Sequence, residues 1–236
     1  MADSNSIWRP GVWLGAIGRP VIRLVDLTLQ RVYGLWYFSR ELDCILRLSW
    51  TQAADGHAFA DGTVVRPGDR LVIIHIWNER LPRMGPAGPD LAWGRAFYLR
   101  TVRSLHYLAA YAESAPELAG GESFWGEMAF LHADAEERLC SLLGALGFEV
   151  VRLSYEGSLR GRCPRVLQIA TSRGRWYEFW ANFYSWLLIW LYNPASLKGK
   201  SLFDLRRYEL WLSRRTLLAK YGPSGPSSSP QRAGTG

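Results

Sequence analysis

Hydrophobic and polar positions follow several rhythms along this chain, and each predicts an element. In residues 19–38, Ile22, Val25, Leu29, Val32 and Trp36 recur at three- and four-residue steps, with Arg23, Gln30 and Arg31 off that stripe. This predicts an amphipathic helix with its apolar stripe turned inward. Residues 42–50 alternate instead, predicting a strand with Cys44, Leu46, Leu48 and Trp50 facing the core and Arg47 facing away. Residues 61–72 read as a hairpin turning at Arg66-Pro67-Gly68-Asp69, its second strand continuing through Ile76.

Beyond a Pro-Gly loop, Asp90 is placed to cap a helix reaching about Ser114, with Leu91, Tyr98, Val102, Leu105, Ala109 and Ala112 on its inner face. A strand at 122–131, a helix at 134–146 stopped by Gly147, and a strand at 148–153 form a strand–helix–strand unit of the kind that crosses over in parallel. Residues 166–170 offer another strand, 175–192 a helix, and 201–221 a helix or helix-turn-helix. The expected fold is α+β, a small mixed β-sheet packed by several helices. It is a single domain over 19–221, with an N-terminal extension at 1–18. The stretch 222–236, rich in Gly, Pro and Ser, reads as a disordered tail.

Composition adds a location to this picture. The net charge is +7, but 12 Lys and Arg against 3 Asp and Glu fall between Arg160 and Lys220, so the rest of the chain is slightly acidic. Such concentration marks a face that meets something anionic. Three cysteines, Cys44, Cys140 and Cys163, form no CxxC pair, so neither a disulfide framework nor a metal site is expected, and no cofactor motif is present. The first residues lack a basic start before an apolar run, which predicts a cytoplasmic protein, either free there or at the inner face of the membrane.

Residues 179–197 carry no charge over 19 positions, yet Asn182, Ser185, Asn193 and Pro194 dilute them, and Trp and Tyr are scattered along the whole length. A membrane span is therefore rejected. Two readings stay open. One is a core helix covering a sheet. The other is a helix in the membrane interface, anchored by Trp180, Trp186 and Trp190 with Lys198 and Lys200 following.

The stretch His75-Ile-Trp-Asn-Glu-Arg80 ends an apolar strand in hydrogen-bonding groups. His75 is the candidate acid/base with Glu79 to orient it, the bland alternative being a satisfied core histidine. The two share a strand face but lie about 13 Å apart, which rules out a shared metal. Arg47, Asn78, Arg80, Arg103 and Arg214 are the candidate anion-binding groups. Arg214 follows a capping Ser213 at a helix start, where a cation is disfavoured, so a specific partner is expected, and Glu79 is the candidate. Trp77–Arg80 is thus expected to act as a clasp, tied to the loop before Asp90 and to the Ser213–Arg214 corner.

Several phrases, among them His75-Ile-Trp-Asn-Glu-Arg-Leu-Pro82, Gly88-Pro-Asp-Leu-Ala-Trp93, Gly147-Phe-Glu-Val150 and Glu209-Leu-Trp-Leu-Ser-Arg214, resemble the bacterial YkoP-like proteins. The resemblance runs from about Leu24 to Gly222. It implies an association with polysaccharide-modifying enzymes and hence with the cell envelope, but no reaction. The leading expectation is a peripheral membrane or envelope-associated protein binding anionic lipid headgroups or a lipid-linked glycan precursor. The alternative is a transferase or hydrolase acting on a sugar- or lipid-linked phosphate. Nucleic acid is disfavoured, because the basic residues alternate with aromatics placed for burial.

Overall fold

The computed structural model describes residues 10–85, 87–88, 90–130, 136–152, 174–192, 194–197 and 206–223. Among these are the strands β1 (Leu46–Gln52), β2 (His57–Ala58), β3 (Val64–Val65), β4 (Arg70–Ile76), β5 (Ser123–Phe130), β6 (Glu149–Arg152) and β7 (Arg206–Ser213). The helices are α1 (Pro10–Val32), α2 (Leu91–Ser114), α3 (Glu136–Ala145), α4 (Gly174–Tyr192) and α5 (Arg214–Tyr221). The fold is α+β, with a mixed five-stranded sheet in the order β1-β4-β5-β7-β6 and a separate β2–β3 ribbon. Only the β4–β5 pair is parallel.

One sheet face carries the main core. Leu46 and Leu48 of β1, Val72 of β4, Phe124 of β5, and Leu210 and Leu212 of β7 pack against Leu105, Leu108, Ala109 and Ala112 of α2, Leu143 of α3 and Leu217 of α5. The alternation of β1 sets Arg47 and Ser49 on the opposite face, as expected. Asp90 caps α2 by accepting from the Trp93 amide at 2.7 Å. Leu91, expected on the inner face of α2, is 91% exposed because it precedes the first turn to meet the sheet. Gly126 lets β5 approach β4, since a Cβ there would lie 2.9 Å from the Ile74 carbonyl oxygen. Gly147 ends the α3 segment at φ +96°, and a Cβ there would crowd Thr216 at 3.1 Å.

Three expectations are corrected. The turn at Arg66–Asp69 exists, with the Arg66 amide bonded to Asp69 at 2.7 Å, but the strands flanking it do not pair with each other. Instead β3 pairs with β2, and β4 pairs with β1. The 201–221 region is not helix-turn-helix: residues 206–213 are a strand between β5 and β6, and only 214–221 are helical. Tyr208, Leu210 and Leu212 alternate with Arg207, Glu209 and Trp211, a period-two pattern that suits a central strand. The insertion of β7 means the β5–α3–β6 unit has parallel strands that are not neighbours. The expected strand at 166–170 lies outside the described residues.

The third correction concerns α1. Its buried face holds Asp26 and Gln30, whereas Val25 of the stripe predicted to be inward is 46% exposed and Val32 is 71% exposed. Leu24 is 65% exposed and Val21 54%. On a helical wheel Val21, Leu24, Val25, Thr28 and Val32 share one side, opposite Asp26. The helix therefore buries Asp26 and Gln30 beside the half-buried Ile22 and Leu29 of the predicted stripe, and exposes apolar side chains on the opposite side.

Candidate functional site

The second sheet face is polar in the half not covered by the β2–β3 ribbon. The ribbon packs Phe59 and Val65 with Leu71 and Trp211. It is held down by His57 and the Ala60 amide, each 2.8 Å from a Glu149 carboxylate oxygen. Ser213 and Thr216 both donate to Asp61 in its loop. Beyond the ribbon, Arg47 on β1 lies opposite His75 on β4, and Glu127 on β5 lies opposite Glu209 on β7. One step along the β4–β5 register from the Ile73–Trp125 pair, taken twice, sets His75 level with Glu127. A row of four ionisable side chains thus crosses four neighbouring strands.

The helix α4 lies over this row, and α1 lies against α4. Arg207, next to Glu209 on β7, forms a 2.6 Å ion pair with Glu127 and reaches Asn182 and Ser185 of α4 at 3.3 Å each. Tyr184 of α4 donates to Asp26 of α1 at 2.8 Å, and Gln30 donates to the other Asp26 oxygen at 2.9 Å. Tyr192 donates to Glu79 at 3.2 Å and stands 3.5 Å from Asp26. Glu209, 3% exposed, accepts from the Trp211 indole at 3.2 Å. Burial and the Asp26 carboxylate push the Tyr184 phenol far up, so it remains a donor at any ordinary pH.

His75 Nε2 stands 2.8 Å from Ser49 Oγ. Burial, with the Arg47 guanidinium adding to it, pushes the imidazole down to about 4. At neutral pH the ring is uncharged, and a base this weak is poorly matched to taking a serine proton. The Ser49–His75 contact is therefore a buried hydrogen bond in the polar layer between the sheet and α4.

Arg47 is the outlier. It is 4% exposed, its Nε and Nη1 are fully buried, and neither finds a hydrogen-bond partner among the described residues.

The other predicted groups separate. Arg80 does not meet Arg214. It stacks over Trp77 at 3.4 Å and donates to the Glu41 and Cys44 carbonyls, while Trp77 stacks on Tyr37 at 4.2 Å. The expected tie to the loop before Asp90 and to the Ser213–Arg214 corner is not found: the stretch grips the segment leading into β1, the exposed Glu79 meets Tyr192, and Asn78–Arg80 forms a single 3-10 turn. Arg214 sits by the other end of β4. It donates to the Leu118 and Ala112 carbonyls, so its partner is the C-terminal end of α2 and not Glu79. Ser213 caps α5 by accepting from the Thr216 amide at 2.9 Å. Arg103 forms a 2.9 Å surface ion pair with Asp43. Trp180 is 50% exposed, whereas Trp186 and Trp190 are half-buried, the Trp186 indole nitrogen being enclosed. Lys198 and Lys200 lie outside the described residues.

Of the predicted groups, then, the structure brings Arg47, His75 and Glu79 to this region. It adds Ser49, Asp26, Glu127, Arg207, Glu209, Asn182 and Tyr184, which the sequence reading missed. The period-two pattern of 206–213 was the one available signal, since it sets Arg207, Glu209 and Trp211 on a common face. Among the described residues no group of three or more His, Cys, Asp and Glu is arranged to hold a metal ion. Compared with protein-family models, curated proteins and solved structures, the chain matches none.

Proposed function

We propose that this protein binds peripherally to an anionic membrane surface, resting the outward face of α1 on the lipid with a polar layer beneath it. The observation that carries this reading is the inverted polarity of α1, with Asp26 and Gln30 buried while Val21, Leu24, Val25 and Val32 face out. An apolar stripe of this kind on a monomer needs a non-aqueous neighbour. Arg23 and Arg31 are exposed on the same helix. Together with the basic 160–220 stretch, they favour a neighbour that is negatively charged as well as apolar.

Among the described residues no helix is long and apolar enough to cross a membrane, which supports attachment at the surface. The ligand class is an anionic lipid or lipid-linked glycan, and its place is the inner face of a bacterial membrane. Flotation with phosphatidylcholine vesicles, with and without phosphatidylglycerol, tests it. Binding should require the anionic lipid and weaken as salt rises. Failure to float with either vesicle overturns the reading, and a dimer in light scattering would then assign the stripe to self-association.

A further inference from the structure

We infer that Arg47 is the anchor of an oxyanion-binding site, taking the phosphate or carboxylate of a small acidic ligand in the polar layer between the sheet and α4. Four observations converge on it. Arg47 is 4% exposed and leaves Nε and Nη1 without acceptors. A buried guanidinium in that state is costly unless an acceptor arrives, and oxyanions supply planar, charged acceptors that match its donors.

The carboxylates nearby do not fill the role, because each is committed elsewhere. Glu127 is paired to Arg207, Asp26 accepts from Gln30 and Tyr184, and Glu209 accepts from Trp211. The Arg47 Nε and Nη1 find no hydrogen-bond partner among the described residues, whereas Arg207 on the same face is paired to Glu127. Finally, His75 opposite it in the register, Ser49 on the same strand face and Tyr184, near enough to feel its charge, are uncharged donors, while the carboxylates of the same layer, Asp26, Glu127 and Glu209, already accept from other groups. Such a surround holds an anion by one full charge and several hydrogen bonds.

The inference deepens the proposed function, since α1 turns Asp26 and Gln30 toward this layer while Leu24, Val25 and Val32 face outward. A phosphate borne on a lipid and a phosphate free in solution share the chemistry, and two arms of one experiment separate them. In the first arm, thermal unfolding of the full chain is followed in inorganic phosphate against chloride at matched ionic strength. In the second, binding is measured to phosphatidylcholine vesicles with and without phosphatidic acid.

Each arm is run on wild type, on Arg47→Met and on Arg103→Met as a surface control. Phosphate should raise the wild-type midpoint, and Arg47→Met should abolish the rise, with apparent affinity about tenfold weaker or more. Arg103→Met should behave as wild type. A response only to phosphatidic acid, lost in Arg47→Met, assigns the site to a lipid headgroup.

The midpoint of Arg47→Met without ligand decides whether the residue is structural. A binding arginine leaves it equal or higher, because a solvation cost is removed with little lost in contacts. A clear fall in that midpoint, or phosphate and phosphatidic acid responses equal to wild type in Arg47→Met, overturns the inference. Loss of flotation on all vesicles with the phosphate response intact would instead overturn only the membrane reading.

Discussion

Tyr184 donates to Asp26 at 2.8 Å, joining α4 to α1 across 158 residues of sequence. This bond explains why α1 stands inside out. A buried carboxylate must be met by donors, and Tyr184, Gln30 and Tyr192 all reach Asp26 on the side of α1 that faces α4. Once Asp26 is fixed inward, the helical period carries Leu24, Val25 and Val32 outward.

Tyr184→Phe should therefore cost about 1–3 kcal/mol, the penalty of leaving a buried acceptor short of a partner. Urea denaturation measures it. Hydrogen exchange should show α1 and α4 losing protection ahead of α2. A change within error would mean that the helices are held by other contacts.

On the outer side of the same helix the effects should be reversed. Leu24→Gln with Val32→Gln should alter stability by only about 0.5 kcal/mol, because both side chains are mostly exposed. Vesicle flotation should be lost in that variant. Retained flotation would place the lipid contact elsewhere.

His75 makes stability depend on pH in a defined window. Its folded value of about 4 lies below the ordinary 6.5, so between them the unfolded chain binds a proton that the folded chain does not. Stability is then fully present above about 6.5 and falls as pH drops toward 4. His75→Gln should flatten that slope in denaturation curves recorded across the window. Arg47, Asp26, Glu127, Arg207 and Glu209 belong to the same polar layer, so the comparison must be variant against wild type at each pH.

Asp61 acts at lower pH. Burial alone would raise it, but hydrogen bonds from Ser213, Thr63 and Thr216 prevail and hold it down to about 2. A depressed carboxylate stabilises the fold above its ordinary value of 3.8, and the contribution is lost as pH falls from there through about 2. Asp61→Asn should lower the melting temperature at pH 7 and show less acid sensitivity below pH 4. Equal acid slopes for the two proteins would refute the assignment.

Glu127 and Arg207 form a largely buried pair, so removing one partner should cost far more than removing both. Glu127→Gln is expected to destabilise by about 3–5 kcal/mol, and Glu127→Gln with Arg207→Met by much less than the sum of the single changes. A double-mutant cycle in urea gives the coupling directly. Additive effects would deny the pair.

Local pattern determined a good part of this protein. The Asp90 cap, the alternation that turns Arg47 away from Leu46 and Leu48, the Gly147 stop and the aromatic helix ending at Tyr192 are short-range properties, set by backbone period and capping chemistry. The placement of β7 was not legible in the same way. A strand between two others is selected by pairing with residues more than 50 positions away, and 206–213 lacks the turn residues that would announce it. The polarity of α1 was decided by tertiary structure alone. Its sequence offers an apolar stripe and a polar stripe, and periodicity cannot tell which will be buried. The choice fell to Asp26 because Tyr184, far along the chain, brings a donor to it. The polar row depends on tertiary structure in the same way, since Arg47, His75, Glu127 and Glu209 come from four separated stretches and become neighbours only when β1, β4, β5 and β7 align.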